Sequence, residues 1–281
     1  CDAFGTGFFY IPGTETCLQI GGEVRFGLDF GRADPSAVFT GWRENGTRNF
    51  SNGRHSDWNA ATRARVKLDA RNETEYGTLQ SVISFEATND AQEGNGAVGL
   101  REAYIDLAGL RVGSFLGWWD DDIAGESDVL SNVAKYNSIR YTYDGGAFTA
   151  GLSIDEIEGR THDRTLLNGD RVRGTHNDVG VSGMVGGAFG GVNVQGLVAY
   201  DNAAEEWAAR GIVTAEIGPG TLGLAGVWAS DPNSYYNAAE WSIAASYAAK
   251  VSEKLTITTA VAYYSDINLN EWRAALPGGF S

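Results

Sequence analysis

Residues 18–30, LQIGGEVRFGLDF, alternate along their length. Leu18, Ile20, Gly22, Val24, Phe26, Leu28 and Phe30 share one face, and Gln19, Glu23, Arg25 and Asp29 share the other. Successive side chains on an extended chain point to opposite sides, so period-two alternation sustained this long predicts a long β-strand. Residues 58–71 repeat the pattern, with Trp58, Ala60, Thr62, Ala64, Val66, Leu68 and Ala70 opposite Asn59, Arg63, Arg65, Lys67, Asp69 and Arg71. A helical period would mix the two sets on every face. Less pure versions predict strands near 76–88, 97–107, 110–118, 135–144, 146–156, 176–188, 190–201, 205–217, 220–230, 238–250, 254–266 and 270–276. Together these make about fourteen strands, each followed directly by the next.

The connections alternate as well. Tight ones fall at 72–75, 108–109, 144–146, 187–191, 218–220 and 251–253, mostly at glycines, which allow the positive φ of short hairpins. The intervening connections, 31–57, 89–96, 117–134, 157–175, 202–204, 231–237 and 267–269, are mostly long. A meander with turns at one end and loops at the other has the layout of an outer-membrane barrel. Soluble barrels point their apolar face inward, and about eight strands already fill the interior. Fourteen or more would enclose a water-filled lumen, with the charged face inside and the apolar face against lipid. Aromatic residues near strand ends (Phe30, Trp58, Tyr104, Trp118, Tyr141, Tyr143, Tyr200, Trp228, Trp241, Tyr263 and Trp272) suit the girdles at membrane interfaces.

Composition narrows the function classes. With 43% hydrophobic residues the chain can build a core, and its formal net charge of −15 argues against nucleic acid as a partner. That acidity fits a cation-attracting surface instead. No run approaches the roughly 20 apolar residues of a membrane-spanning helix, a criterion blind to strands. Cys1 and Cys17 are the only cysteines and best fit one disulfide closing a short loop; two reduced thiols or a lipid-modified Cys1 are the alternatives. The three histidines, His55, His162 and His176, make no metal-ligand spacing. There is no GxSxG, and the glycine-rich runs lack a strand-to-helix context, so no catalytic or phosphate-binding site is indicated.

The opening CDAFGTGFFYIPGTETCLQIGGEVRF closely resembles the mature N-terminal region of the general porins of alphaproteobacteria. REAYIDLAGLRVGSFLGWWDD resembles the porin stretch that leads from the fourth and fifth strands into the constriction loop. The resemblance implies an all-β, transmembrane, antiparallel up-and-down β-barrel of sixteen strands, a homotrimer whose third external loop folds inward. On this basis 1–281 is a single barrel, with 1–17 a disulfide-closed segment and 117–134 the constriction loop. About fourteen strands are visible, so the C-terminal strands, with the terminal aromatic of the family, are expected to be missing from this sequence.

In such a channel Asp120, Asp121, Asp122, Glu126 and Asp128 hang in the lumen. Strand parity supplies a facing basic wall of Arg25, Arg63, Arg65, Lys67 and Arg140. Opposed charges across a narrow opening make a transverse field that favours polar solutes. Arg71 and Arg111, near strand ends, are expected to be ordinary solvated wall residues, and Arg101, on the wrong parity, to lie at a rim. Asp155, Glu156 and Glu158 are expected to be surface charge, or to bind divalent cations linked to lipopolysaccharide.

The function expected is passive diffusion of small hydrophilic solutes and ions, weakly cation-preferring, through the bacterial outer membrane. Two alternatives are a structural or lipopolysaccharide-binding anchor protein and a soluble all-β carbohydrate-binding protein with tryptophan platforms. Outer-membrane lipid and lipopolysaccharide are the expected surroundings. No nucleic acid and no cofactor is expected, although the acidic loops leave room for a structural divalent cation such as Ca2+.

Overall fold

The computed structural model describes residues 1–32, 38–42, 48–51, 56–90, 94–96, 98–124, 135–157, 164–165, 171–172 and 178–265. They fall into two compact units, 1–108 and 109–281.

The first unit opens with a 3-10 turn, Asp2–Phe4, and the expected disulfide between Cys1 and Cys17, whose Cα atoms lie 5.4 Å apart. β1 (Phe9–Tyr10) pairs with the start of β2 (Cys17–Arg32). β3 (Val38–Trp42) and β4 (Arg48–Ser51) form a small hairpin within the long 31–57 connection. β5 (Ser56–Thr74) pairs with β2 on one side and with β6 (Gly77–Asp90) on the other. The two-residue β7 (Gly94–Asn95) flanks the end of β6, and β8 (Gly99–Leu107) completes the order β1-β2-β5-β6-β8, antiparallel throughout.

The second unit runs through β9 (Leu110–Leu116), β10 (Lys135–Asp144) and β11 (Phe148–Glu156). A small hairpin of β12 (Arg164–Thr165) and β13 (Arg171–Val172) follows. The ladder then continues with β14 (Val179–Phe189), β15 (Val192–Asp201), β16 (Glu206–Ile217), β17 (Gly220–Ala229), β18 (Trp241–Ser252) and β19 (Leu255–Tyr264). Leaving β12 and β13 aside, each strand pairs antiparallel with its predecessor. At Gly190 and Gly191, between β14 and β15, φ is 58° and 87°, the two consecutive positive values that a two-residue hairpin needs.

Thirteen of the fourteen predicted long strands are present with ends displaced by a few residues; 270–276 lies outside the described residues. β18 begins three residues later than expected, at Trp241, and Ala238 and Ala239 are buried in the preceding connection. The two-residue β1 and the small strands within long connections were not anticipated; they are too short to carry a periodic signal.

Burial is inverted relative to a soluble protein. In the second unit Ser138, Arg140, Ser153, Asp155, Ser182, Arg210, Ser242 and Ser246 are buried on one face, while Ile139, Leu152, Ile154, Val181, Val198 and Ile243 stand exposed on the other. β2 does the same on a smaller scale, exposing Ile20, Val24, Phe26 and Leu28. Each large apolar side chain left in water forgoes about 1.5–3 kcal/mol, so this surface requires an apolar solvent. Aromatic pairs border it at both ends. Tyr143 and Phe148 lie at the short-turn end, with ring centroids 5.7 Å apart; Tyr200 with Trp207 (4.7 Å) and Trp241 with Tyr263 (5.6 Å) lie at the other. Two expected girdle members do not belong there. Trp118 is buried under the sheet's polar face, and Tyr104 pairs in register with Val82 on the polar side of β6.

Candidate functional site

After β9 the chain turns onto the polar face of the second unit. Gly117 leads into a 3-10 turn, Trp118–Asp120, closed by Asp120 N donating to Gly117 O (3.1 Å) and Asp121 N to Trp118 O (3.2 Å). Both indoles are buried and the carboxylate of Asp120 is exposed, so the abrupt change from apolar to acidic in the sequence becomes a segment that is apolar below and acidic above. Arg210, from the middle of β16 and 4% exposed, fixes it: Nη1 donates to Trp119 O (2.8 Å) and Nη2 to Trp118 O (2.6 Å). Its guanidinium also lies 5.1 Å from the Trp119 ring. A charged fork donating to two carbonyls is among the stronger hydrogen-bond arrangements. Strand glycines make room for the segment: a Cβ on Gly151 would lie 2.5 Å from the Trp118 ring, and one on Gly223 would lie 2.9 Å from Ile123. Asp121 is tied to the wall by Gln195 Nε2 (2.6 Å), and Asp122 accepts from Ile123 N (2.8 Å). Asp121, Asp122, Asp144, Asn193 and Gln195 line a cavity of about 410 Å³ beside the segment.

A second connection, residues 230–240, also folds onto this face. Asn233 Oδ1 accepts from the backbone N–H groups of Tyr235 (2.9 Å) and Tyr236 (3.1 Å), which turns the chain. The Tyr235 ring then sits 5.5 Å from both Trp119 and Tyr136, and its hydroxyl donates to Asp155 (2.8 Å). Asp155 also accepts from Ser138 (2.7 Å), Ser153 (2.6 Å) and Ser182 (3.0 Å). Asp201, fully buried, accepts from Ser234 N (2.8 Å), and Tyr136 OH donates to Ser234 O (2.9 Å). Burial, and then the charge of Asp155, push the Tyr235 hydroxyl far above the ordinary tyrosine range. Asp155, expected with Glu156 and Glu158 to be surface charge, is instead a buried acceptor hub at 4% exposure; Glu158 lies outside the described residues.

The first unit carries Arg25, Arg63, Arg65 and Lys67 of the expected basic wall. β2 and β5 register Arg25 opposite Arg63, Glu23 opposite Arg65, and Gly21 opposite Lys67. Arg25 and Lys67 are exposed. Arg65 Nε donates to Glu86 (2.6 Å), Arg63 Nη2 to Glu23 (3.4 Å), and Arg101 Nη1 to Glu86 (3.2 Å). The wall is thus interleaved with carboxylates instead of being a run of mutually repelling cations. Arg101 is not at a rim. Ser84 pairs with Glu102 while Phe85 pairs with Leu100, so Arg101 is the extra residue of a β-bulge, and its side chain reaches the polar face. Arg71 lies against Asp69 (2.9 Å) and over the Phe8 ring (4.7 Å), as an ordinary wall residue would.

Of the remaining expected site residues, Arg140 is buried: its guanidinium lies 4.6 Å from Phe115 and 4.8 Å from Trp118, beneath the 117–124 segment. Arg111, opposite Arg140 in register, lies 5.6 Å from the Phe115 ring. Glu126 and Asp128 fall outside the described residues. Among the described residues no cluster of three or more His, Cys, Asp or Glu could hold a metal ion. Sequence reasoning missed Arg210, Gln195, Tyr235, Glu23 and Glu86. Arg210 left a usable signal, the lone cation of its strand at an inward-parity position.

The family described as Porin subfamily matches residues 1–277 of the chain. A putative outer membrane protein, y4fJ, of Sinorhizobium fredii is 45% identical over 98% of this chain and 76% of its own length. Outer membrane protein IIIA of Rhizobium leguminosarum bv. viciae is 43% identical over 92% of this chain and 68% of its own. Among solved structures, the outer membrane channel DcaP of Acinetobacter baumannii superposes with a TM-score of 0.67 at 14% identity, covering 89% of this chain and 79% of that one. At that identity the likeness establishes the barrel fold.

Proposed function

This chain belongs to the Porin subfamily, and from that premise we propose how its channel filters solutes. The protein is a passive, water-filled diffusion channel of the bacterial outer membrane and not an enzyme. Its filter is the segment 117–124, made acidic by Asp120, Asp121 and Asp122, with Glu126 and Asp128 following in the sequence; Arg25, Arg63, Arg65 and Lys67 of the first unit form a basic wall on that unit's polar face. The observation that carries this is the double hydrogen bond from Arg210 to the Trp118 and Trp119 carbonyls, which holds the acidic segment on the polar face. A charged segment on a water-facing wall concentrates counter-ions and orients water, so small polar solutes pass more readily than apolar ones. Arg140 supports the segment from beneath. The working form is a homotrimer surrounded by outer-membrane lipid and lipopolysaccharide.

Replacing Asp120, Asp121 and Asp122 together by Asn tests the filter. Cation-over-anion permeability, read from the reversal potential in a planar bilayer with a salt gradient, should fall. An unchanged reversal potential would remove these residues from the constriction.

A further inference from the structure

We propose that residues 230–240 are a second constriction element, and that Tyr235 latched on Asp155 is the positioning contact that sets the bore by bracing the 117–124 segment. The inference rests on the channel function above and deepens it. Three features argue that this connection belongs inside and does not merely border the mouth. Its backbone and side chains are spent on wall carboxylates of the polar face: Tyr235 OH on Asp155 and Ser234 N on Asp201. The wall is shaped to receive it, since a Cβ on Gly180 would lie 2.1 Å from the Tyr235 hydroxyl. Finally, it touches the acidic segment directly through the Trp119–Tyr235 ring contact, and Tyr136, packed on the same tyrosine, donates back to Ser234 O.

These contacts form a chain of restraint. The serines of three adjacent strands, Ser138, Ser153 and Ser182, hold the Asp155 carboxylate; Asp155 holds Tyr235; and Tyr235 holds the ring of Trp119, whose carbonyl is gripped by Arg210. A carboxylate that accepts four hydroxyl hydrogen bonds has little freedom to turn, so the tyrosine docks in one place. The bore then depends on a contact among residues 119, 155 and 235, none of which is an acid of the filter.

The test is single-channel recording of the full chain in planar bilayers. Heat-modifiable gel migration confirms that each variant is folded. Tyr235→Ala removes both ring and hydroxyl, and its open-channel conductance should rise by about 1.5-fold, with larger neutral sugars admitted in liposome swelling. Tyr235→Phe keeps the ring and loses only the latch. It should keep a conductance close to the parent's but show added open-channel noise and sub-states, and Asp155→Asn should reproduce that noise. A purely structural contribution would lower thermal stability and leave folded channels unchanged. Folded Tyr235→Ala channels with parental conductance and sugar exclusion overturn the proposal. If that variant does not fold, folded Tyr235→Phe channels as quiet as the parent overturn it instead. A parent chain that passes no current at all would strike at the channel function itself, a distinct failure.

Discussion

Arg210, in the middle of β16, reaches two main-chain carbonyls of a loop that is distant in sequence. Replacing it by Met leaves those carbonyls without this donor and should cost about 1.5–3 kcal/mol of stability, read from the temperature at which the folded band disappears on heated gels. Lys, a point charge without the fork, should recover less than half of the loss. Tyr235 gives a pH dependence whose sign follows from its raised value in the fold. Its contribution is complete below the ordinary tyrosine value of about 10 and drains as pH climbs above it. Tyr235→Phe should therefore flatten the alkaline limb of a stability-versus-pH curve while leaving the neutral region's slope alone. Neither residue could be assigned its partner from the sequence. Parity puts Arg210 and Asp155 on the polar side, but Ser138 and Ser182 stand 17 and 27 residues from Asp155 and meet it only through strand register.

At the scale of elements, alternation made nearly every long strand legible, since a sheet with lipid on one side and water on the other imposes a strict two-residue period. What alternation cannot register is a place where the period slips. The β-bulge at Arg101 returns Leu100 to the apolar side and Glu102 to the polar side, and brings the arginine beside Glu86. Deleting Arg101 should remove the bulge, keep both neighbours on their present faces and leave a folded channel with one cation fewer. Deleting Ala103 instead would invert the parity of the residues on one side of it. The first variant should assemble and conduct with a smaller anion share of the current, and the second should fail to assemble. Equal assembly yields of the two would contradict the bulge assignment. That 117–124 would lie against the polar face was legible as an expectation of family resemblance, whereas the same placement of 230–240 was not. Serine, asparagine and tyrosine in a connection look the same whether they meet water or a polar wall.

For the molecule as a whole, the Cys1–Cys17 bond closes a loop at the start of the first unit, with a sequence separation of 16. Loops of that size gain about 3 kcal/mol from cross-linking, largely by restricting the unfolded chain. Reducing agent, or Cys1→Ala with Cys17→Ala, should lower the melting temperature and leave single-channel conductance unaltered at ambient temperature. The contacts described for the acidic segment and those described for the basic wall belong to different units. The hydrogen bonds described from Arg210 and Gln195 to the acidic segment and the ring contact of Tyr235 with it lie within 109–281, and the interleaved cations and carboxylates pair within 1–108. Inheritance can therefore act on them separately. Substitutions or recombined segments in the first hundred residues can exchange one pattern of wall charge for another while the scaffold that suspends the acids passes unchanged between generations. A lineage meeting new nutrients or toxins could retune what it admits without relearning how to fold.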